Sequence, residues 1–157
     1  KILIENLELK KTLEKFLKNT ILPVDLAIES NGKRKEISLD ELPVNYPIYD
    51  IGRETIKLYK NEIKKAGAIF FKGVMGKSED AIFSLGTKEI LKAISNSKAF
   101  SVVAGGSSAR AVEKYKINKN KINYVSLSGG ALVHYLAGRK LPGLEALKIN
   151  KRVNEKL

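Results

Sequence analysis

The chain has 157 residues, 43% of them apolar, with four prolines and no cysteine, which is enough for one domain with its own core and excludes disulfide frameworks, thiolate metal sites and cysteine nucleophiles. One histidine, His134, rules out a multi-histidine metal centre, and no apolar run approaches the ~20 residues that span a bilayer, so a soluble, cytoplasmic protein with no membrane partner is expected. The formal charge of +12 invites a nucleic-acid reading, but lysines interleave with glutamates over 8–15 and 57–65 as on the wet faces of amphipathic helices, and no aromatic residues cluster there to stack on bases.

Leucines at 7, 9, 13 and 17 predict a helix over Asn6 to Leu17, and Ile21 to Asp25 reads as a buried strand or its end. Asn31-Gly32 tolerates positive φ at both turn positions and separates Leu26–Ser30 from Lys33–Leu39, which predicts a β-hairpin appended to the main sheet. Pro43 and Pro47 break the chain until a helix from about Arg53 to Ala66, capped by Gly67. Three strand-forming runs then end in glycine where a helix should begin: Ala68 to Gly73, Phe100 to Gly106, and Ile122 to Gly130. After the first, Ser78 suits an N-cap with Glu79 and Asp80 in the first helical turn, and a further helix covers Thr87 to Ser95. Gly105 to Ser108 open a helix over Ala109 to Tyr115, Gly129-Gly130 open another that Gly138 ends, and the tail from Ile149 is too charged to add to a core.

The expected fold is therefore α/β, a three-layer αβα Rossmann-like parallel sheet with a small β-hairpin appendage. In such a sheet the carboxyl ends of the strands form one rim where ligands bind, and helix N-termini offer unpartnered N–H groups to anions. A single glycine at such a turn is more often a connection than a site; three on one rim favour a nucleotide or other phosphate ligand. Glu79 has an ordinary role as a carboxylate stabilising its helix, and His134 reads as packed or partly exposed, not catalytic.

Taken in order, several strings resemble phosphoglycerate kinase, in its carboxyl-terminal, nucleotide-binding part and of archaeal type. They are Leu22-Pro23-Val24-Asp25, Asp50-Ile51-Gly52-Arg53-Glu54-Thr55, Phe71 to Glu79, Gly86-Thr87-Lys88, Ala104 to Ser108, Ser126 to Ala131, and Leu141-Pro142-Gly143. The resemblance implies a two-domain kinase of which residues 1–157 are part of the nucleotide domain, the amino-terminal substrate domain being absent. It implies reversible phosphoryl transfer between 1,3-bisphosphoglycerate and ADP, giving 3-phosphoglycerate and ATP, with Mg2+ carried by the nucleotide. By the same resemblance Glu79 bonds the ribose hydroxyls, Gly73, Val74 and Gly76 form the nucleotide wall, Gly105, Gly106, Ser107 and Ser108 hold the phosphates, and Gly129 and Gly130 face the transferring group. No residue is expected to ligate a metal, and the phosphoglycerate site is expected in the missing domain, which leaves these residues inactive alone. Lys72, Ser107, Ala104 and Ser128 depart from the family's pattern. The rival reading is a basic nucleic-acid-binding α/β module without enzymatic activity.

Overall fold

The computed structural model describes residues 14–154. Residues 14–17 are helical, and the rest of the helix expected over Asn6 to Leu17 lies outside the described residues. Asn31 and Gly32 take φ of 54° and 72° and turn β1 (Asp25–Ser30) onto β2 (Lys33–Ser38) in antiparallel register. The hairpin is more than an appendage, because β3 (Ile48–Ile51) pairs with the other edge of β1 and completes a three-stranded sheet in the order β2-β1-β3. The sequence gives β3 little voice. It has four residues between Pro47 and Gly52, and Pro47 contributes its carbonyl, which accepts from the Glu29 N–H at 3.0 Å.

The three glycine-ended runs form a parallel sheet of β4 (Ala68–Lys72), β5 (Phe100–Ala104) and β6 (Tyr124–Ser126), in that spatial order. The helices are α1 (Arg53–Lys65), α2 (Leu85–Ser95), α3 (Gly106–Lys114), α4 (Gly129–Leu136) and α5 (Pro142–Asn154). Phe71 and Val103 point from the parallel sheet into a core made with Ile90, Leu91 and Ile94 of α2 and Ala111 and Val112 of α3, while Tyr59 and Ile63 of α1 pack at its margin. On the opposite face Phe70, Phe100 and Tyr124 remain exposed. No helix among the described residues is long and apolar enough to cross a membrane.

Two of the quoted strings turn out to be one interlock. The Asp25 carboxylate accepts from the N–H groups of Glu54 and Thr55, at 3.0 and 2.7 Å, and so caps α1 from a neighbouring strand. The buried Thr55 hydroxyl in turn accepts from the Val24 N–H at 2.9 Å. That attachment, together with Pro23, holds Ile21 to Val24 as irregular chain, with Ile21, Leu22 and Val24 about half exposed and only Asp25 entering a strand. Asp50 is buried on β3 and accepts from Arg34 of β2 at 2.8 Å and from the Gly86 N–H at the start of α2 at 2.9 Å.

Other boundaries move for local reasons. Helix α1 ends at Ala66 in an extended conformation without a left-handed cap; Gly67 instead offers its carbonyl to the Phe100 N–H, which starts the parallel pairing. Ser78 does not cap a helix. Residues 77–83 form successive turns, Asp80 accepts from the Ile82 N–H at 2.9 Å, and the helix begins at Leu85. The 3-10 turn Lys119–Lys121 delays β6 to Tyr124, and α5 was not expected from the charged tail.

Candidate functional site

The parallel register sets Lys72, Ala104 and Ser126 side by side, so the residues that follow each strand share one rim. Gly73 leaves β4 with φ +94° and Gly105 leaves β5 with φ +97°, conformations that a Cβ would strain. The Gly105 N–H donates to the Ser126 carbonyl at 2.8 Å, which ties the second turn to the third strand, and the Gly105 carbonyl accepts from Ala109 as α3 begins. Gly129, the first residue of α4, packs against this turn so closely that a Cβ there would fall 2.9 Å from the Gly105 Cα. The two helix N-termini therefore meet.

Between them lies a cavity of about 290 Å3 lined by Lys72, Gly73, Ala104 to Ser108, Gly129 and Gly130. Three turns separated by some sixty residues of chain converge there. A second, larger cavity of about 700 Å3 is lined by Val74, Ser78, Glu79, Ser107, Arg110, Ala111, Glu113 and Lys114. Ser107 belongs to both, so Glu79 and the glycine cavity adjoin across one residue.

The expected residues play unequal parts. Ser108 is 1% exposed and its hydroxyl accepts from the Gly73 N–H at 2.9 Å, so that group holds the first glycine turn in place. Ser107 sits within 3.4 Å of an Arg110 guanidinium nitrogen, its hydroxyl accepting. Gly76 lines neither cavity: a Cβ on it would collide with the Tyr49 carbonyl, and the neighbouring Lys77 N–H donates to that carbonyl at 2.8 Å. Its glycine is required by packing on β3. Gly130 has open space around its missing Cβ. Glu79 is exposed on the turn after β4, and Lys114 fixes that turn by donating to the carbonyls of Ser78 and Glu79 at 2.8 and 2.9 Å, with the Tyr115 hydroxyl bonding Ser78 as well. His134 is exposed on α4 beside Arg139, at 3.5 Å, and lines neither cavity.

Arg110 and Lys114 were not singled out in the sequence. Their spacing from Ser107, one and two turns into α3, was the available signal, since it carries them up the same helix face. The carboxyl of Glu113, the residue before Lys114, is held below its ordinary value by the hydrogen bond and charge of Lys119. No group of three or more His, Cys, Asp or Glu able to hold a metal occurs among the described residues, and none of the glycine cavity's lining residues is a carboxylate. Some surface lysines are paired along or between helices, Lys60 and Lys92 with Glu89, Lys65 with Glu62 and Lys148 with Glu145, as expected of solvated helix faces.

Comparison with known proteins finds relatives over most of the chain. The family model described as phosphoglycerate kinase matches residues 4–139. The phosphoglycerate kinase of Methanothermus fervidus is 46% identical over 147 residues, which are 94% of this chain and 35% of that protein. That of Methanothermobacter thermautotrophicus is 42% identical over 139 residues, 88% of this chain and 33% of that protein. The crystal structure of phosphoglycerate kinase from Pyrococcus horikoshii superposes with a TM-score of 0.82 at 38% identity, covering 92% of this chain and 36% of that one. The enzyme from Coxiella burnetii gives 0.77 at 30% identity, covering 88% and 37%. The chain thus spans about a third of the length of the relatives it matches.

Proposed function

The chain belongs to the phosphoglycerate kinase family, and from that premise we propose that it supplies the nucleotide side of the reversible transfer of a phosphoryl group between 1,3-bisphosphoglycerate and ADP, yielding 3-phosphoglycerate and ATP. The observation that carries the reading is the convergence of three glycine turns and two helix N-termini on one cavity, with Glu79 in the cavity next to it. The rival nucleic-acid module has no support in the relatives.

Phosphoryl transfer asks little covalent chemistry of a protein; positioning and stabilisation of spread charge do the work. The Gly106 N–H and the Ser107 hydroxyl bind the ADP phosphates at the N-terminus of α3, on the turn that Gly105 shapes, and Ser108 holds the Gly73 turn that closes the cradle. Gly129 and Gly130 present the N–H groups of α4 to the transferring group, where equatorial oxygens gain charge in the transition state. Val74 walls the neighbouring cavity, and Glu79 accepts there from the ribose hydroxyls, while Gly76 contributes by packing its loop on β3. The glycine cavity offers Mg2+ no carboxylate, so the ion would enter on the nucleotide's own oxygens, and no step is assigned to it. None of these residues is needed as a general base. The 157 residues alone are expected to bind nucleotide without turnover, the acceptor being held elsewhere.

Glu79 is the residue on which to test the reading. A carboxylate bonding two hydroxyls is worth ~1.5 to 3 kcal/mol, so Glu79→Gln should weaken ADP binding about tenfold or more in calorimetric titration and leave pyrophosphate binding as it was. Equal loss for both ligands, or none for either, would remove Glu79 from the ribose site.

A further inference from the structure

We propose that Lys72 is the cation of the phosphate cavity, its ammonium bonding the terminal phosphate oxygens of a nucleoside di- or triphosphate. The inference rests on the nucleotide reading above and adds the charged group which that reading lacks.

Lys72 is the last residue of β4, paired with Ala104 at the centre of the rim. Alternation along the strand puts it on the same face as Ala68 and Phe70, away from the side that Phe71 packs into the helical core. The side chain runs across the first turn of α4: its Cε lies 3.4 Å from where a Cβ on Gly129 would be. The absence of a side chain at Gly129 is what leaves room for this path. Lys72 forms no ion pair among the described residues and is the one charged side chain lining the glycine cavity.

Everything else lining the cavity is neutral. Backbone N–H groups of Gly106, Gly129 and Gly130 and the Ser107 hydroxyl can each donate to phosphate but carry no net charge, while those of Gly73 and Gly105 are taken by Ser108 and Ser126. A di- or triphosphate brings two or more negative charges, and a lysine is a compact point charge with three donors and a flexible stem that can follow a phosphate as it moves. The alternative for such a side chain is to cover Gly129 with its methylene stem and leave its head in water. The two roles differ in what they do to phosphate binding and to adenosine binding.

The test is equilibrium titration of the 157-residue chain and its Lys72→Met and Lys72→Arg variants with ADP and with adenosine, at low and moderate salt. Lys72→Met, which keeps the stem, should weaken ADP about tenfold, the scale of one charge-assisted hydrogen bond, flatten the salt dependence, and leave adenosine binding and the melting temperature unchanged. Lys72→Arg should recover most of the loss. ADP affinity within twofold of the parent chain in Lys72→Met would overturn the proposal, and so would parallel loss of adenosine, which would mean a collapsed site. If the parent chain itself binds ADP no better than adenosine, or binds neither, the phosphate-site reading fails first and takes this inference with it. That pattern is distinguishable, because it appears before any substitution is made.

Discussion

Asp50 shows how one side chain can join two elements of the fold. Its side chain is fully buried, and its two oxygens accept from the Arg34 guanidinium, from the Gly86 N–H and from its neighbour's Ile51 N–H, so the antiparallel sheet and the start of α2 meet on one carboxylate. Removing one partner of a buried pair leaves the other charge uncompensated, at a cost of about 3 to 5 kcal/mol. Asp50→Ala should lower unfolding free energy in urea by that amount; a loss below about 1 kcal/mol would mean that Arg34 finds a full replacement in Glu36, which already lies 3.3 Å from it. At this scale the sequence was easy to misread. Asp50 and Thr55 belong to strings that resemble an enzyme family, yet both are buried and serve the packing. Gly76, outside both cavities, and Ser108, on the wall of the glycine cavity, do structural work, since a glycine or serine required by a neighbouring backbone is spelled the same as one required by a ligand.

Among elements, the link from β1 to α1 carries a pH dependence. Burial pushes the Asp25 carboxyl up, but the Thr55 hydroxyl and N–H, the Glu54 N–H and Arg34 together outweigh it and hold the group below its ordinary value. A carboxylate depressed in the folded state adds stability that is complete above the unfolded-state value, near pH 4, and is lost as pH falls through the lower folded-state value. Melting temperature should therefore decline between pH 5 and pH 3, and Asp25→Asn should start lower at pH 6 and decline less steeply. An unchanged slope would assign the acid loss to other carboxylates, Glu89 beside Lys60 being the first to examine. The parallel strands were legible because each is a short apolar run closed by glycine, and β5 occupies Phe100 to Ala104 of the run read as Phe100 to Gly106. Strand β3 was not, because its pairing partner β1 lies some twenty residues back and only that contact makes Ile48–Ile51 extended. The turn after β4 was misread as a helix start since Ser78, Glu79 and Asp80 have capping chemistry, but Lys114 and Tyr115 bond the carbonyls that a helix would have used.

For the whole molecule, the two sheets have separate duties. The antiparallel sheet anchors α1, the loop at Gly76 and the start of α2; the parallel sheet aims its three strand ends at the cavity. That Gly73, Gly105, Gly106, Gly129 and Gly130 would come together could be read from their positions after successive strands, whereas their depth, and the arrival of Lys72 and Arg110 beside them, depended on side-chain paths that no spacing encodes. That nucleotide phosphates sit on this rim is the central proposal. Titrating the 15N-labelled chain with ADP and following amide shifts tests it directly. The largest changes should fall on Gly73, Gly105, Gly106, Ser107, Gly129 and Gly130, with smaller ones around Glu79. Shifts centred on the lysine-lined groove of α1, at Lys57, Lys60 and Lys64, or spread evenly over basic residues, would contradict it.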